Sequence, residues 1–354
     1  MIIIVEPNIK EVKFWAFNKD SRYSSFIAKD IDELRDKKAL EEVIYTLTKG
    51  KKPKTIVFKM LFGADLFKKP VLLNDKALTE LRKLVSFMPF YIPMAEEILR
   101  SFYENFKGVQ LILFFDTAFF SNLPYTEKYY AIPVEYAERN KIKRWGFHGI
   151  YHEYNGTLPQ KGGKIISVVL DKQATVCAIK DNKPFSISLG YTPLEGIMGR
   201  TSCGDLDPGI VFYLMKRYKF SIFAIDEMLK KESGFLGVTG YDLGIDELVK
   251  LCGSDQKVDL AFRIYQDQIL KYIGEGISSL GGVDAIVFSG CYLKNLLGVT
   301  HNLLKNISFL GINLLQLPWE SNKETNLITS EKSPIKVYLN FTEPANIIYQ
   351  LAFS

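Results

Sequence analysis

The residue types that most often carry chemistry are spread thinly along this chain. The histidines are His148, His152 and His301, too few for a histidine-rich metal site. The cysteines form no CxxC pair, so the sequence indicates neither a zinc site nor a disulfide framework. Asp116 ends the apolar run LILFFD, and His148 lies in GFHG. Taken alone, the first would cap a turn and the second would fill a hydrogen bond in the core, so chemistry has to be inferred from longer blocks.

Composition and charge exclude several classes of protein. With 354 residues, 47% hydrophobic and 24% charged, the chain suits two globular domains and is not of disordered type. The net charge is +5, and basic and acidic residues alternate, as in 29–42, which we expect to be a solvated helix face. A nucleic-acid-binding surface is therefore not indicated. The opening MIIIVEP is too short for a signal peptide or a membrane span, so we expect a cytoplasmic protein with no membrane partner.

Apolar runs rich in β-branched and aromatic residues alternate with helical patterns, which predicts an α/β architecture. The predicted strands are 2–5, 55–61, 111–116, 165–170, 175–180, 285–290 and 335–341. The predicted helices are 77–88, 95–106, 209–218, 224–231 and 258–280. The polar segment 317–334 is predicted to be a surface loop. No repeat of fixed period appears.

Three long blocks resemble one enzyme family, in the order in which that family carries them. They are FFDTAFFSNLPYTEKYYAIPVEYAERNKIKRWGFHGIYHE (114–153), YTPLEGIMGRTSCGDLDPGIVFYLM (191–215) and GGVDAIVFSGCYLKN (281–295). ESGFLGVTGYDL (232–243) and FLGINL (309–314) fit as well. The family is that of acetate and propionate kinases, which belongs to the sugar kinase, Hsp70 and actin superfamily, and the resemblance spans nearly the whole chain.

The resemblance implies two RNase H-like lobes of actin-like ATPase type with an interlobe cleft. The N-terminal lobe would comprise 1–120 plus 343–354, and the C-terminal lobe, on the nucleotide and dimer side, 121–342. It also implies a homodimer and the transfer of the γ-phosphoryl group of ATP to acetate, with Mg²⁺ bridging the phosphates. Such a transfer needs a positioned carboxylate, donors on the equatorial oxygens and backbone amides around the triphosphate.

Four residues are catalytic candidates by this resemblance. Asp116 matches the acid thought to orient the magnesium or the carboxylate, and His148 matches the histidine that donates to the transferring phosphoryl group. Lys59, in FKMLFGA, stands where an arginine neutralises carboxylate and phosphoryl group together; lysine keeps the charge and loses the two-pronged geometry. Arg200, in RTSCGD, lies two residues before Ser202, which fills the position of the family's second arginine.

The resemblance also implies binding residues. The candidates for the substrate pocket are Leu61, Phe90, Tyr91, Phe147 and Pro193. The candidates for nucleotide binding are Lys172, Asp242 and Asn295. Asp116 and Glu343 are the candidates for magnesium, although Glu343 is displaced by one place and Pro344 occupies the position of the family's glutamate.

Several segments that should face phosphate differ from the family pattern. In EPNIKEVKF (6–14) Glu6 replaces an asparagine, and the family's serines have become Ile9, Lys10 and Glu11. A carboxylate facing phosphate costs about 1–4 kcal/mol by like-charge repulsion. Asp171 and Gln173 replace glycines in VLDKQAT (169–175), and Leu293 replaces another in CYLKN (291–295), so the backbone should approach phosphate less closely.

These replacements predict that ATP binding and the family reaction are lost or strongly impaired. Two alternatives remain open. The first is an active, divergent short-chain carboxylate kinase that uses Lys59, Asp116 and His148 with Mg²⁺ and ATP. The second is a non-catalytic scaffold or ligand-sensing paralogue, a pseudoenzyme that needs no cofactor. The acidic replacements favour the non-catalytic alternative over the active one.

Overall fold

The computed structural model describes residues 1–9, 11–18, 23–30, 32–34, 37–159, 163–317, 319 and 323–353. The backbone divides into two compact units, and each is described by itself. The first unit comprises Met1–Ser121 together with Pro344–Ser354, and the second unit comprises Asn122–Glu343.

The strands and helices in chain order are as follows. The strands are β1 Ile2–Pro7, β2 Glu11–Phe17, β3 Tyr23–Asp30, β4 Thr55–Met60, β5 Val71–Leu72, β6 Gln110–Phe115, β7 Lys164–Val169, β8 Thr175–Lys180, β9 Lys183–Ile187, β10 Ala285–Ser289, β11 Thr325–Leu327 and β12 Lys336–Asn340. The helices are α1 Lys37–Thr48, α2 Asp75–Arg82, α3 Tyr91–Asn105, α4 Tyr125–Lys128, α5 Val134–Arg139, α6 Gly149–Thr157, α7 Pro208–Tyr218, α8 Ile222–Lys231, α9 Gly234–Thr239, α10 Ile245–Leu248, α11 Gln256–Leu280, α12 Leu297–Asn306 and α13 Pro344–Phe353.

The first unit is built on a six-stranded mixed sheet in the order β3-β2-β1-β4-β6-β5. Strands β1, β4 and β6 are parallel neighbours, and the flanking pairs are antiparallel. Successive residues are buried in both β1, at Ile3–Val5, and β4, at Thr55–Phe58, so both faces of the sheet centre are covered. Phe102 of α3 packs edge-on against Phe58 of β4, with ring centroids 5.0 Å apart. This core fixes the ends of the three parallel strands.

The second unit has a six-stranded mixed sheet in the order β11-β12-β10-β7-β8-β9. Strands β7, β10 and β12 are parallel neighbours, while β7-β8-β9 form an antiparallel meander. The 25-residue helix α11 begins at an Asp255 cap, which accepts from the amides of Lys257 and Val258, and ends at Gly281 with φ 65°. Its apolar stripe, including the fully buried Tyr265, joins the sheet in one core.

The predicted α/β class is confirmed by these two sheets, and the predicted strands agree with β1, β4, β6, β7, β8, β10 and β12 to within about two residues. The helix predicted at 77–88 is wrong in its second half, because α2 ends at Arg82 and separate turns follow. The loop predicted at 317–334 contains strand β11, which pairs with β12. Segment 29–42 is not one helix face, since its first residues belong to β3 and α1 begins at Lys37.

Candidate functional site

In the first unit, polar residues come together where the central parallel strands end. Glu6 lies near the end of β1, Lys59 near the end of β4, and Asp116 directly follows β6. The register pairs Val5 with Phe58, and the Asp116 amide donates to the Met60 carbonyl at 2.8 Å. Because parallel neighbours end at the same edge of a sheet, the register brings residues that are far apart in sequence to one place.

Glu6 and Lys59 form an ion pair at this edge. Lys59 Nζ donates to Glu6 Oε1 at 2.5 Å, and the two side chains are only 15% and 17% exposed. A pair shielded from water to this degree is screened less by salt than a surface pair, and losing one partner leaves a poorly solvated charge behind. Glu6 and Lys59, at the positions where the resemblance implies an asparagine and an arginine, are therefore partners of each other.

Tyr91 and Asp116 lie beside this pair. The Leu61 amide donates to the Tyr91 hydroxyl at 2.9 Å, and Asp116 is 2% exposed. Burial raises the pKa of Tyr91; the Leu61 amide opposes this, and the charges of Glu6 and Asp116 add to it. The structure thus brings Lys59, Leu61, Tyr91 and Asp116 together. Phe90, which directly precedes Tyr91 on the chain, is 80% exposed.

In the second unit, His148 directly precedes α6 and has left-handed backbone torsions, φ 59° and ψ 25°. This conformation is uncommon for residues other than glycine and is held only where the surroundings impose it. Phe147, the preceding residue, is buried, and His148 Nδ1 lies 3.0 Å from the hydroxyl oxygen of Thr175 on β8. The backbone conformation and the contact with the Thr175 hydroxyl together fix the orientation of the imidazole ring.

Behind His148 lies a set of buried polar side chains joined by hydrogen bonds, which we call the histidine network. Its members are His148, Thr175, His152, Ser167, Asn155, Ser289 and Asn340. His152 Nε2 is 2.9 Å from the Thr175 oxygen, and its Nδ1 is 2.7 Å from the Ser167 oxygen. Asn155 Nδ2 donates to Ser167 at 2.9 Å and to Ser289 at 2.8 Å.

The network extends to the end of strand β12. Asn340 Nδ2 donates to Asn155 Oδ1 at 2.9 Å, and Asn340 Oδ1 accepts from the Thr342 amide at 3.0 Å. His152, Asn155 and Asn340 are fully buried, and burial holds the pKa of His152 well below its usual value. The imidazole of His152 is therefore neutral at physiological pH. The network ends one residue before Glu343, which is exposed.

Three other candidate residues of the second unit form a group of their own. The Arg200 side chain pairs with Asp242, and the Arg200 amide donates to the Lys172 carbonyl at 3.2 Å. Arg200 is 42% exposed and Asp242 78% exposed, so the pair contributes little stability. Pro193 and Asn295 are also exposed. The arginine's charge is offset by an acid of its own unit.

The residues that replace the expected glycines take part in local contacts. Gln173 Nε2 donates to the carbonyls of Pro193, at 2.7 Å, and of Ile197, at 3.2 Å. Asp171 Oδ1 accepts from the Cys291 thiol at 2.8 Å, and burial together with this carboxylate raises the pKa of Cys291. Leu293 is fully buried in the core of the second unit. These side chains now stabilise the turns in which they lie.

Sequence reasoning missed the pairing of Glu6 with Lys59 and most of the histidine network. The pairing depends on strand register across 53 positions, which no local pattern reveals. The network did leave a signal, because Ser167, Thr175 and Ser289 interrupt or end apolar strand runs. A hydroxyl group inside a buried strand needs a hydrogen-bond partner, so such residues mark buried polar clusters.

Metal-ligand clusters and membrane-spanning helices are both absent from the described residues. Among them, no group of three or more histidine, cysteine, aspartate or glutamate side chains is arranged to hold a metal ion. Of the helices in the same part of the chain, none combines the length and apolar character that crossing a membrane requires. Lys10, one of the replaced positions, lies outside the described residues.

Comparison with known proteins gives a consistent result. The family model described as the Acetokinase family matches residues 11–350. An acetate kinase of Rickettsia prowazekii is 32% identical over 298 residues, which cover 82% of this chain and 76% of that protein. An acetate kinase of Clostridium novyi is 29% identical over 326 residues, covering 86% and 80%. The crystal structure of Porphyromonas gingivalis acetate kinase matches with a TM-score of 0.88 at 22% identity, covering 99% and 98%.

Proposed function

This chain belongs to the acetokinase family, and on that basis we propose that it is an acetate kinase-type protein whose phosphotransfer is strongly impaired. The family reaction converts ATP and acetate to ADP and acetyl phosphate. The catalytic candidates are Asp116, Lys59, His148 and Arg200. The proposal concerns how well these residues can still serve that reaction.

The observation that carries the proposal is the contact between Lys59 and Glu6 at 2.5 Å. Lys59 stands where the resemblance places an arginine that neutralises both reacting anions. With Glu6 against it, the cation is already matched by a carboxylate of the same unit. An incoming acetate or phosphate has to compete with Glu6 and also meets the charge of Asp116. Repulsion of this kind is worth about 1–4 kcal/mol, roughly a fivefold to thousandfold loss of affinity.

Two further observations support weak nucleotide binding. Asp171 adds a carboxylate to the turn that should hold phosphate, and Gln173 bonds to carbonyls of the neighbouring segment. Arg200 is paired with Asp242. Backbone amides bind phosphate best in turns where glycines let the ligand approach closely, and these turns have lost that access.

Calorimetric titration with Mg·ATP tests the proposal directly, and a hydroxylamine trap for acyl phosphate tests catalysis. We expect no micromolar binding and no hydroxamate above background from the unmodified protein. Glu6→Asn combined with Asp171→Gly should strengthen Mg·ATP binding at least about tenfold, because it removes two repulsive charges. Glu41→Gln is the matched control, since Glu41 is an exposed acid of α1 that pairs with Lys37 and lies outside the candidate segments. Micromolar binding with a hydroxamate signal that disappears in Asp116→Ala would contradict the proposal.

The second candidate is an active, divergent carboxylate kinase that uses Lys59, Asp116 and His148. The histidine network favours it, because a buried polar network costs stability unless it is fully bonded and this one keeps His148 in a fixed direction. In that case the candidates for contacting acetate would be Leu61, Phe90 and Tyr91 of the first unit, and Phe147 and Pro193 of the second unit. Lys59→Arg combined with Ser202→Arg should then raise turnover by restoring two-pronged contacts.

Magnesium and ATP would be the cofactors of an active protein. Asp116 of the first unit and Glu343 of the second unit are the candidates, because each offers carboxylate oxygens, which Mg²⁺ prefers. The ion, when bound, would neutralise charge on the phosphates. Lys172, Asp242 and Asn295 would contact the nucleotide. If neither ATP nor acetate binds, the non-catalytic scaffold or ligand-sensing alternative is the remaining one.

We also propose a cytoplasmic homodimer that binds no nucleic acid or membrane. Every residue of α7 is at least partly exposed, and Phe212, Ile222 and Phe223 of α7 and α8 are 68%, 70% and 86% exposed. Apolar surface of this extent is typical of a protein interface. Light scattering should give twice the chain mass for the unmodified protein and the chain mass for Phe223→Asp; a monomeric unmodified protein would contradict the proposal.

A further inference from the structure

The direction in which hydrogen bonds are donated along the histidine network can be derived by starting from one of its ends. Its starting point is the backbone amide of Thr342, which can only donate a hydrogen bond. Because this amide lies 3.0 Å from Asn340 Oδ1, the oxygen and nitrogen of the Asn340 side chain are distinguished. Asn340 Nδ2 must then donate to Asn155 Oδ1, 2.9 Å away.

The same reasoning fixes the next two residues. Since Asn155 Oδ1 accepts from Asn340, Asn155 Nδ2 faces two hydroxyl oxygens and gives one hydrogen to each, those of Ser167 and Ser289. Both hydrogens of the amide are then used. Asn155 is fully buried, so neither donor could turn to solvent instead.

The hydroxyl group of Ser167 connects Asn155 to His152 and determines which nitrogen of the His152 ring is protonated. Its oxygen accepts from Asn155, and within the described part of the chain the acceptor for its hydrogen is His152 Nδ1, 2.7 Å away. If Nδ1 carried a hydrogen instead, the Ser167 oxygen would accept two hydrogen bonds, and its own hydrogen would have no acceptor among the described residues. His152 is neutral, because burial lowers its pKa, so its hydrogen lies on Nε2. From there it is donated to the Thr175 oxygen at 2.9 Å.

The last step reaches His148. The Thr175 oxygen accepts from His152, and among the described residues the acceptor for the Thr175 hydroxyl hydrogen is His148 Nδ1, 3.0 Å away. With Nδ1 occupied as an acceptor, a neutral His148 carries its hydrogen on Nε2. If the bond between Ser167 and His152, or either bond of Thr175 to a histidine ring, were reversed, one hydroxyl hydrogen would be left without an acceptor among the described residues.

We propose that His152, Asn155 and Asn340 are positioning residues that fix His148 as a hydrogen-bond donor through Nε2. The proposal deepens the proposed function, on which it rests for the use of His148. A donor is what the oxygens of a transferring phosphoryl group require, and the alternative tautomer would present a lone pair to them. Asn340 also joins His148 to the segment that carries Glu343, so the phosphoryl-facing and metal-binding candidates of the second unit share one rigid connection.

The tautomers can be measured without substrate. With ¹⁵N-histidine labelling, long-range proton–nitrogen spectra at mildly alkaline pH report which ring nitrogen is protonated. We expect protonated Nε2 and unprotonated Nδ1 at both His148 and His152. The remaining histidine, His301 on α12, is an internal reference outside the network. A hydrogen on Nδ1 of His152, or an even mixture of tautomers at His148, would overturn the proposal.

Two variants test the direction of the network. Asn155→Asp keeps the shape but removes the donor to Ser167, so Nδ1 of His152 should gain a hydrogen. Thr175→Val removes the link between the rings, so His152 should stay unchanged while the tautomer ratio of His148 relaxes by about tenfold, the effect of one hydrogen bond. If Asn155→Asp does not fold, Thr175→Val and the unmodified protein decide the outcome.

Thr300→Val is the matched control, because Thr300 is also fully buried and bonds only to the Leu296 carbonyl of its own helix. It should leave both rings unchanged. A folded Asn155→Asp protein with an unchanged His152 ring would contradict the proposed direction. None of these measurements needs ATP or acetate, so a protein without kinase activity can still confirm the positioning role, and a working kinase with mixed tautomers would refute it.

Discussion

The two units repeat one strand plan and hold their polar residues by different means. In each sheet an antiparallel meander is followed by two parallel strands and an antiparallel edge strand, in the orders β3-β2-β1-β4-β6-β5 and β9-β8-β7-β10-β12-β11. In the first unit β1, β4 and β6 lead to Glu6, Lys59 and Asp116. The corresponding strands β7, β10 and β12 of the second unit carry Ser167, Ser289 and Asn340.

The difference between the Glu6–Lys59 pair and the neutral polar residues of the second unit follows the extent to which each is buried. Glu6 and Lys59 keep 17% and 15% of their side-chain exposure and are charged partners. Ser167, Ser289 and Asn340 are fully buried and neutral. Full burial of a charge costs far more than full burial of a bonded hydroxyl or amide group. One plan of strands can therefore support a charged pair at partly hydrated strand ends or a neutral network at dry ones, and Asp116, at 2% exposure, is the exception to this relation.

The largest effect is expected from breaking the neutral network. Asn155→Ala removes the partner of Ser167, Ser289 and Asn340 together, and each buried group left without a partner is costly. We expect the free energy of unfolding to fall by about 2–5 kcal/mol in a urea titration. Asn302→Ala, at an exposed position of α12, is the control and should cost about 0.5 kcal/mol or less. If both variants lowered the free energy of unfolding equally, the buried network would contribute no more to stability than an exposed side chain does.

A smaller effect is expected from breaking the charged pair. Lys59→Met leaves the Glu6 carboxylate without its cation and should lower the free energy of unfolding by about 1–3 kcal/mol. Adding Glu6→Gln should restore most of the loss, because no unpaired charge then remains. Lys231→Met, which breaks the exposed pair with Glu227 at 3.0 Å, is the control and should cost about 0.5 kcal/mol. Additive single effects at Lys59 and Glu6 would contradict the pairing.

The smallest effect concerns pH. The pKa of His152 is lowered in the folded protein, so below about pH 6.5 the unfolded chain binds a proton that the folded protein does not. Stability should therefore fall with decreasing pH by about 1.4 kcal/mol per unit at most. Burial raises the pKa of Glu153, Glu127 and Glu275, which contributes the opposite slope at lower pH.

His152→Gln separates the two contributions, because the glutamates are common to both proteins. The difference in unfolding free energy between the unmodified protein and His152→Gln should shrink as pH falls from about 6.5 to about 5. A difference that is constant with pH would mean that the pKa of His152 is not lowered in the folded protein.

The sequence predicted what depends on local pattern and on resemblance. Asp116 at a strand end and the predicted strand at 175–180 were both readable, because apolar runs and motif spacing carry that information. The hairpin of β1 and β2 was not predicted, since 6–14 was interpreted as a phosphate-binding segment. In the structure these residues belong to two antiparallel strands, in whose register Glu6 lies opposite Lys13. The repeated strand order is also not visible as a sequence repeat, because burial requires an apolar residue at a position but does not require the same amino acid in both units.

Side-chain partnerships were the least predictable part of the site. Glu6 was expected to repel phosphate, and its contact with Lys59 depends on the register of β1 against β4. Asn155 and Asn340 are 185 positions apart, and only the folded second unit brings them within a hydrogen bond. The catalytic, binding and metal assignments of the candidate residues remain predictions.

The backbone at His148 also limits how this position can change during evolution. Its positive φ of 59° is tolerated by glycine and asparagine far better than by branched or bulky residues. A lineage that no longer used the imidazole would be expected to drift toward those two residues first, while a valine or isoleucine there would first require the turn before α6 to rebuild. Homologous sequences from close relatives can therefore be read as a record of whether selection still acts on the ring or only on the turn.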